Sequence, residues 1–359
     1  MTKAQKIYLE QILNNYTVAQ LKEMCELYSI VGISSKRKAQ IIEKLVDEIT
    51  EIHTFKRNCF LASRKEIVLL EKAKEEVYRL KDEETEILYW IKCGYVGVDN
   101  NCHIVVAEEI KRLYEQLTLS EPLFWDARER FHTILDYIHA SIHLYGVLSK
   151  NDFVKIFNHY NEEKLTMDEL ENAIDVVRDN FLMHDFEEDE DLIFDEVLLD
   201  MESGTFAFES VLIQQGNASF YLPEKSEFLN YIDKDYFEKN EEYLELREYL
   251  LYTLEIKHYF ADDLIEDVVT MIRLGYQAED ILSEAQKRGL IMGPFHIDDI
   301  ANLILNLMNH TRTMFYRGHT PLELNMKIEF VEKKKAKKGN KNKKKRVKHE
   351  VISFPGNPR

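Results

Sequence analysis

Along most of this chain apolar residues recur every three or four positions, the period of a helix with one buried face. Thr17 and Gln20 form a capping box, and Val18, Leu21, Met24 and Cys25 follow at helical spacing. Gly32 interrupts the pattern, and Ser34 or Ser35 is placed to cap a second helix, whose apolar face is Ile41, Ile42, Leu45, Val46 and Ile49. Lys65 to Lys81 reads as a charged amphipathic helix joining this start to the rest. Asp82 to Lys92 reads as another, with Ile87, Leu88 and Ile91 inward and Gly94 as its stop. The period then changes. Tyr95 to Val98 and Cys102 to Val106 are short β-prone runs around the turn Asp99-Asn100-Asn101, and Glu108 to Leu117 is helical again. Helix, small hairpin and helix are compatible with a winged-helix piece.

A similar unit is expected to follow. Asp126 to Tyr145, Ser149 to Tyr160 and Thr166 to Asn180 read as helices, the last opened by a Thr166/Glu169 capping box. Phe181 to Asp195 reads as strand, acidic turn (Glu187 to Asp191) and strand. A wing that inserts into DNA carries Lys or Arg. This one carries five consecutive acids, which suits protein contact or solvation. Residues 196–223 are mixed, with β-prone pieces at Val211 to Ile213 and Phe220 to Leu222. Helices are expected from Ser226 on. Tyr236 to His258 has Leu244, Leu246, Leu250, Leu251 and Leu254 on one side, and Asp262 to Gly275, Ala278 to Gly289 and Ile297 to Tyr316 follow. Gly275 and Gly289 read as helix stops, and Thr320-Pro321-Leu322-Glu323 as a helix start.

Lys36, Arg37 and Lys38 lie between the first two helices, at or near the second one's N-terminus. Cations there oppose the helix dipole, so helix stability does not explain them, whereas a bound phosphate would. The stretch Asn15 to Ile49, with Thr-Val-x-x-Leu-Lys-x-Met, a Gly-Ile turn, Lys-Arg-Lys and Ile-Ile-x-x-Leu, resembles the N-terminal helical module of transcription termination factor Rho and the related SAP-type DNA-binding modules. The resemblance covers roughly a tenth of the chain and implies nucleic-acid contact. It does not imply a motor, because no Gly-x-x-x-x-Gly-Lys-Ser/Thr and no barrel-like run of short strands follows. Asn309 to Leu324, and the strand-like run Gly94 to Val106, resemble uncharacterised bacterial proteins that often end in a zinc knuckle, the SEC-C motif. Those relatives carry a cysteine-rich knuckle after a basic segment. Here no cysteine lies beyond Cys102, so the basic segment stands without thiolates and no zinc is expected there.

Charge sharpens this picture. The net charge of −18 hides segregation: residues 1–64 hold ten basic and seven acidic residues, and 65–332 hold 25 basic and 57 acidic. Lys333 to Lys348 holds eleven basic residues and no acid. An acidic body is repelled by a phosphate backbone, so the two positive ends are the expected nucleic-acid contacts. The tail, with Lys333, Lys334, Lys335, Lys337, Lys338, Lys343, Lys344, Lys345 and Arg346, has no aromatic residue for base stacking. It is expected to be disordered when free and to take phosphates without reading sequence, or to fold back on the acidic body. No run of 18 apolar residues exists and no apolar signal region opens the chain, so a cytoplasmic protein with no membrane contact is expected.

Other chemistry is sparse. His296, Asp298, Asp299, His310, Arg312 and His319 suggest a metal or phosphoesterase site, but their spacing fits no metal-binding motif, and His310 and Arg312 are expected on opposite sides of one helix. Cys93, Cys102 and His103 lack a fourth zinc ligand and read as buried reduced thiols with a neighbour, and Cys25 and Cys59 stand apart. Asp185 to Asp191 lacks the glycine and ligand order of a calcium loop. No nucleophile elbow, P-loop or dinucleotide fingerprint occurs, so no enzyme activity and no cofactor is expected.

The expectation is a mainly α protein. It has a Rho/SAP-like helical module at 1–54, a linker helix and winged-helix-like unit at 55–120, and a second helical unit with an acidic hairpin at 121–225. A helical C-terminal domain at 226–330 and a Lys-rich tail at 331–359 complete it. The expected function is non-catalytic binding of DNA or RNA by a transcription- or mobile-element-associated factor. A protein–protein adaptor or self-association through the acidic body is the alternative, and a hydrolase with a site near 296–319 is a third reading.

Overall fold

The protein is described by a computed structural model, which covers residues 6–75, 78–80, 87–99, 101–178, 186–199, 207–290, 293 and 296–328. It is mainly helical, with two small antiparallel sheets.

The first core joins everything from Leu9 to Phe124. Its helices are α1 Leu9–Leu13, α2 Val18–Leu27, α3 Lys38–Ile49, α4 Ile52–Leu61, α5 Arg64–Glu75, α6 Ile87–Lys92 and α7 Glu108–Ser120. Strands β1 Tyr78–Arg79, β2 Val96–Val98 and β3 His103–Val106 form a sheet in the order β1-β3-β2. The N-terminal helices are therefore not free-standing. The Tyr28 hydroxyl donates to the Cys93 carbonyl at 2.7 Å, and the Glu108 amide donates to the Ile7 carbonyl at 2.9 Å. A Cβ on Gly94 would meet Ile49, Leu13 and Met24, three side chains of the N-terminal helices.

The second core is built on the long helix α8, Pro122–Tyr145. Strand β4 Val147–Ser149, helices α9 Lys150–Tyr160 and α10 Met167–Arg178, and strands β5 Phe186–Asp189 and β6 Leu192–Asp195 follow. This sheet has the order β4-β6-β5. Helix, strand, two helices and a hairpin thus close with the first strand beside the last. Helix α11, Ala207–Gln215, packs with Phe194, Met314 and Phe315 in a smaller cluster. A third core, residues 243–308, holds α13 Glu241–Glu248, α14 His258–Arg273, α15 Ala278–Lys287 and α16 Ile297–His310, after the short α12 Lys225–Phe228.

Arginines join these cores by donating to backbone carbonyls. Arg128 of α8 is buried and donates to the Cys59 carbonyl at 2.9 Å and to that of Ala62, at the C-terminal end of α4. Its neighbour His132 meets the Phe60 carbonyl at 2.9 Å. Carbonyls of a last helical turn have no partner in their own helix. Arg273 reaches the carbonyls of Lys234, Tyr236 and His143, and Arg317 reaches those of Gly216 and Ala218.

Several expectations are corrected. The second helix starts at Lys38, because 33–36 form a turn and the Gln40 side chain accepts the Arg37 amide; neither Ser34 nor Ser35 caps it. The helix expected over 65–81 ends at Glu75, because Tyr78 and Arg79 pair with Ile104 and His103. Leu88 is exposed, and Trp90 takes the inward position with its indole donating to the Glu66 carbonyl. The acids Glu187 to Asp189 are strand rather than turn, and Glu190 to Asp191 make the turn, with Glu190 left-handed. Phe181 to Met183 lie outside the described residues.

Val211 to Ile213 are helical, because Val211 packs with Met314 and Phe315. Over 236–258 a π-turn at Tyr249–Thr253 follows α13; its extra residue turns both Leu250 and Leu251 inward, while Leu244 faces out. Helix α16 ends at His310, so Arg312 lies beyond it. The Thr320/Glu323 capping box closes, but only turns follow.

Candidate nucleic-acid interface

The loop between α2 and α3 is held at several points. Ser29 and Gly32 take left-handed conformations, which carry the chain away from α2. The Lys44 ammonium donates to the Val31 carbonyl at 3.2 Å. Lys36 and Arg37 sit at the end of this loop, exposed, with no ion pair among the described residues. The Gln40 and Ile41 amides turn back to the Arg37 carbonyl, while the first two amides of α3 have no acceptor within the helix. Lys38 behaves differently. It is half-buried, and its ammonium donates to the Asn14 carbonyl at 2.7 Å, at the C-terminal end of α1. The three cations read together in sequence thus divide into two outward groups and one that ties α1 to α3. Lys333 to Arg346 of the tail lie outside the described residues.

The other sequence candidates separate. His296 faces Tyr249, whose hydroxyl also donates to Asp299 at 3.0 Å. His310, at the opposite end of α16, faces Glu242 at 3.3 Å. His319 meets Glu323 at 3.3 Å and the Ser219 carbonyl at 3.1 Å. Among the described residues no three His, Cys, Asp or Glu side chains stand together as metal ligands. Cys25, Cys59 and Cys93 are buried as expected, and burial pushes the Cys93 thiol up to about 12. Cys102 is exposed, because it takes a left-handed conformation in the hairpin turn. In the acidic hairpin Glu188 pairs with Lys150 at 3.0 Å and with Arg178, so it is not simply solvated.

One cluster was legible in sequence only through Arg312. Its guanidinium donates to Glu238 at 2.7 Å and to Glu323 at 2.9 Å, and lies 3.5 Å from the centre of the Tyr221 ring. Burial opposes its charge, but the two carboxylates outweigh burial and raise its pKa. Burial, then a hydrogen bond to Glu238, hold the Glu227 carboxyl above its ordinary value. The members come from segments almost a hundred residues apart, so no spacing in the sequence announces them. They fasten 221–238 to 312–323.

No helix among the described residues is long and apolar enough to cross a membrane. No protein-family profile, curated protein or solved structure matches the chain.

Proposed function

We propose that this protein binds DNA or RNA without catalysing a reaction on it, as a transcription- or mobile-element-associated factor. Lys36 and Arg37 contact phosphates, Lys38 beside them ties α1 to α3 and adds only its charge, and the Lys-rich tail adds sequence-independent affinity. The observation that carries this reading is the exposed, unpaired Lys36 and Arg37 at the positive end of a twelve-residue helix. The order of α2, loop and α3 agrees with a Rho/SAP-like module. The strand orders β1-β3-β2 and β4-β6-β5 agree with winged-helix-like units. In the second unit Glu169, Glu171 and Asp175 of α10 pair with Arg130, Lys150 and Arg178, while Asp168 and the hairpin acids Asp189, Glu190 and Asp191 are exposed, so that unit is assigned to protein contact. This acidic face also supports the second reading, an adaptor for a basic protein.

The test is fluorescence anisotropy of the full chain with single- and double-stranded DNA and RNA across a salt series. The Lys36→Ala/Arg37→Ala double variant is expected to weaken duplex binding and reduce the slope of log affinity against log salt by about 2, near 0.9 per phosphate lost. Equal affinity and slope in the variant would remove this site, and no binding by the intact chain would leave the adaptor.

A further inference from the structure

Three carboxyls gather around one guanidinium between the second and third cores. Arg312 donates to Glu238 at 2.7 Å and to Glu323 at 2.9 Å. Glu227 of α12 is bound differently: its carboxyl accepts the Tyr221 hydroxyl at 3.2 Å and is hydrogen-bonded to the carboxyl of Glu238. An ionised carboxylate only accepts, so a hydrogen bond between two carboxyls needs a proton on one of them. Glu238 already accepts from Arg312 and, at 3.3 Å, from the Tyr231 hydroxyl, which leaves Glu227 as the donor. The charges agree. Three ionised carboxyls would face a single cation, and a proton on Glu227 removes one of them. The pair also spans a junction. Phe228 and Tyr231 belong to the second core, Phe237 packs on the third, and Arg312 follows α16 of the third.

We propose that Glu227 and Glu238 share one proton and form a pH-sensitive clasp between segments 221–238 and 312–323, closed while the proton is held and loosened when it leaves. Loss of the proton sets two carboxylates against each other. A backbone bond that crosses the junction, from the Tyr221 amide to the Arg317 carbonyl at 3.0 Å, then opens more often. Tyr221, Tyr231 and Arg312 face the pair directly, and His319 meets Glu323 behind Arg312 at 3.3 Å. On α12 itself Lys225 is turned away to the Tyr160 carbonyl and the Asn161 side chain, while Glu224 and Glu227 both act on the Tyr160 hydroxyl of α9. Arg273 of α14 shares a small pocket with Glu238 but directs its donors to carbonyls, and His310 pairs with Glu242. On α8, His143 meets the Tyr231 carbonyl at 2.8 Å. Burial, then the bond to Glu238, raise the Glu227 carboxyl above 4.5, so the clasp is fully closed below pH 4.5 and is lost as pH rises through the folded value. Burial depresses His143 below 6.5, so its contribution is lost in the other direction, as pH falls.

The test compares the full chain with Glu227→Gln, because glutamine keeps the bonds of the protonated form and cannot ionise. Its carbonyl accepts the Tyr221 hydroxyl and its amide donates to Glu238. Both proteins are unfolded in urea from about pH 4 to about pH 8, and exchange of the Tyr221 amide, corrected for its intrinsic rate, is followed over the same range. The urea midpoints are expected to lie together near pH 4 and to part as pH rises, with the wild type falling below the variant. Protection of the Tyr221 amide is expected to drop with pH in the wild type alone. His143 is common to both chains and cancels in the difference. Selective ¹³C labelling of glutamate carboxyls gives a direct reading, in which the resonance missing from the variant titrates above 4.5 in the wild type. An ordinary midpoint for that resonance, parallel urea curves, or wild-type Tyr221 protection that ignores pH overturns the proposal. Should the glutamine variant not fold, Glu227→Ala also removes the surplus carboxyl and must show the same loss of pH dependence.

Discussion

Replacing Arg128 by methionine tests what its guanidinium does, because methionine keeps an unbranched apolar stem and removes every donor. The wild-type group is 1% exposed and donates to two carbonyls at the end of α4, those of Cys59 and Ala62. Methionine cannot replace either bond, and the surrounding packing admits no easy substitute. Each buried carbonyl left alone costs about 1–2 kcal/mol, and bonds from a charged donor lie at the upper end. Relief of the buried charge offsets part of this, since burial already lowers the arginine's pKa. Glu129, the third partner, keeps Arg64 at 2.7 Å and is not orphaned. The expected net loss is about 2–4 kcal/mol. Urea unfolding followed by tryptophan fluorescence reads it, since Trp90 and Trp125 belong to or pack on the first core. Arg128→Lys is expected to fall between, because one ammonium cannot span both carbonyls as the fork does. A methionine variant within about 0.5 kcal/mol of wild type would refute the reasoning, because surface changes alone stay inside that range.

Three further outcomes are expected. Burial, aided by the Arg128 charge, holds His132 neutral with a pKa of about 4 against 6.5 unfolded. Its folded pKa is depressed, so its contribution is intact above pH 6.5 and is lost as pH falls toward 4. His132→Asn should flatten the slope of unfolding free energy against pH in that window. Gly146→Ala should destabilise by more than about 2 kcal/mol in urea, because its φ of 72° is left-handed and the new Cβ would lie 2.8 Å from Met314. Gly32→Ala, left-handed but in open space, should cost only about 1 kcal/mol in the same assay. Lys38→Met should lower stability by about 1 kcal/mol through loss of its bond to Asn14, whereas Lys36→Met should leave the urea midpoint unchanged.

Local signals in the sequence carried far. Thr17 and Gln20 make their reciprocal cap, Ser149 caps α9, and the hairpin around Asp99 forms because each needs only neighbours within a few residues. What failed is what tertiary packing decides. Val211 to Ile213 have β-branched preference but lie in a helix whose Gln215 amide donates to the Tyr145 and Met314 carbonyls. The leucine spacing predicts Leu244 inward, while Tyr243 fills that position and the π-turn resets the stripe after it. The helix expected over Asp126 to Tyr145 gives Arg128 no role, yet Arg128 is among the most buried side chains. At the candidate site, Lys36, Arg37 and Lys38 were legible as a triplet of charge. Their division was not, because Asn14 becomes a neighbour of Lys38 only when α1 lies on α3.

The joints between the three cores include grips on backbone as well as side-chain pairs such as Arg64 with Glu129 and Asp136. At the core-to-core joints Arg128 and Arg273 grip carbonyl oxygens, which every residue type supplies, and Arg317 does the same beside α11. Each of these grips is therefore lopsided in its tolerance of change. The gripping residue is fixed, while the chemistry of a gripped residue is free to drift so long as its peptide stays in place. In a saturation scan of Arg128, Arg273, Arg317, Ala62, Ala218 and Lys234, the arginines should stand out as narrow minima. The exposed Lys234 and half-buried Ala218 should accept many substitutions and the fully buried Ala62 only small ones, and double variants should show little compensation, because there is no side-chain match to restore.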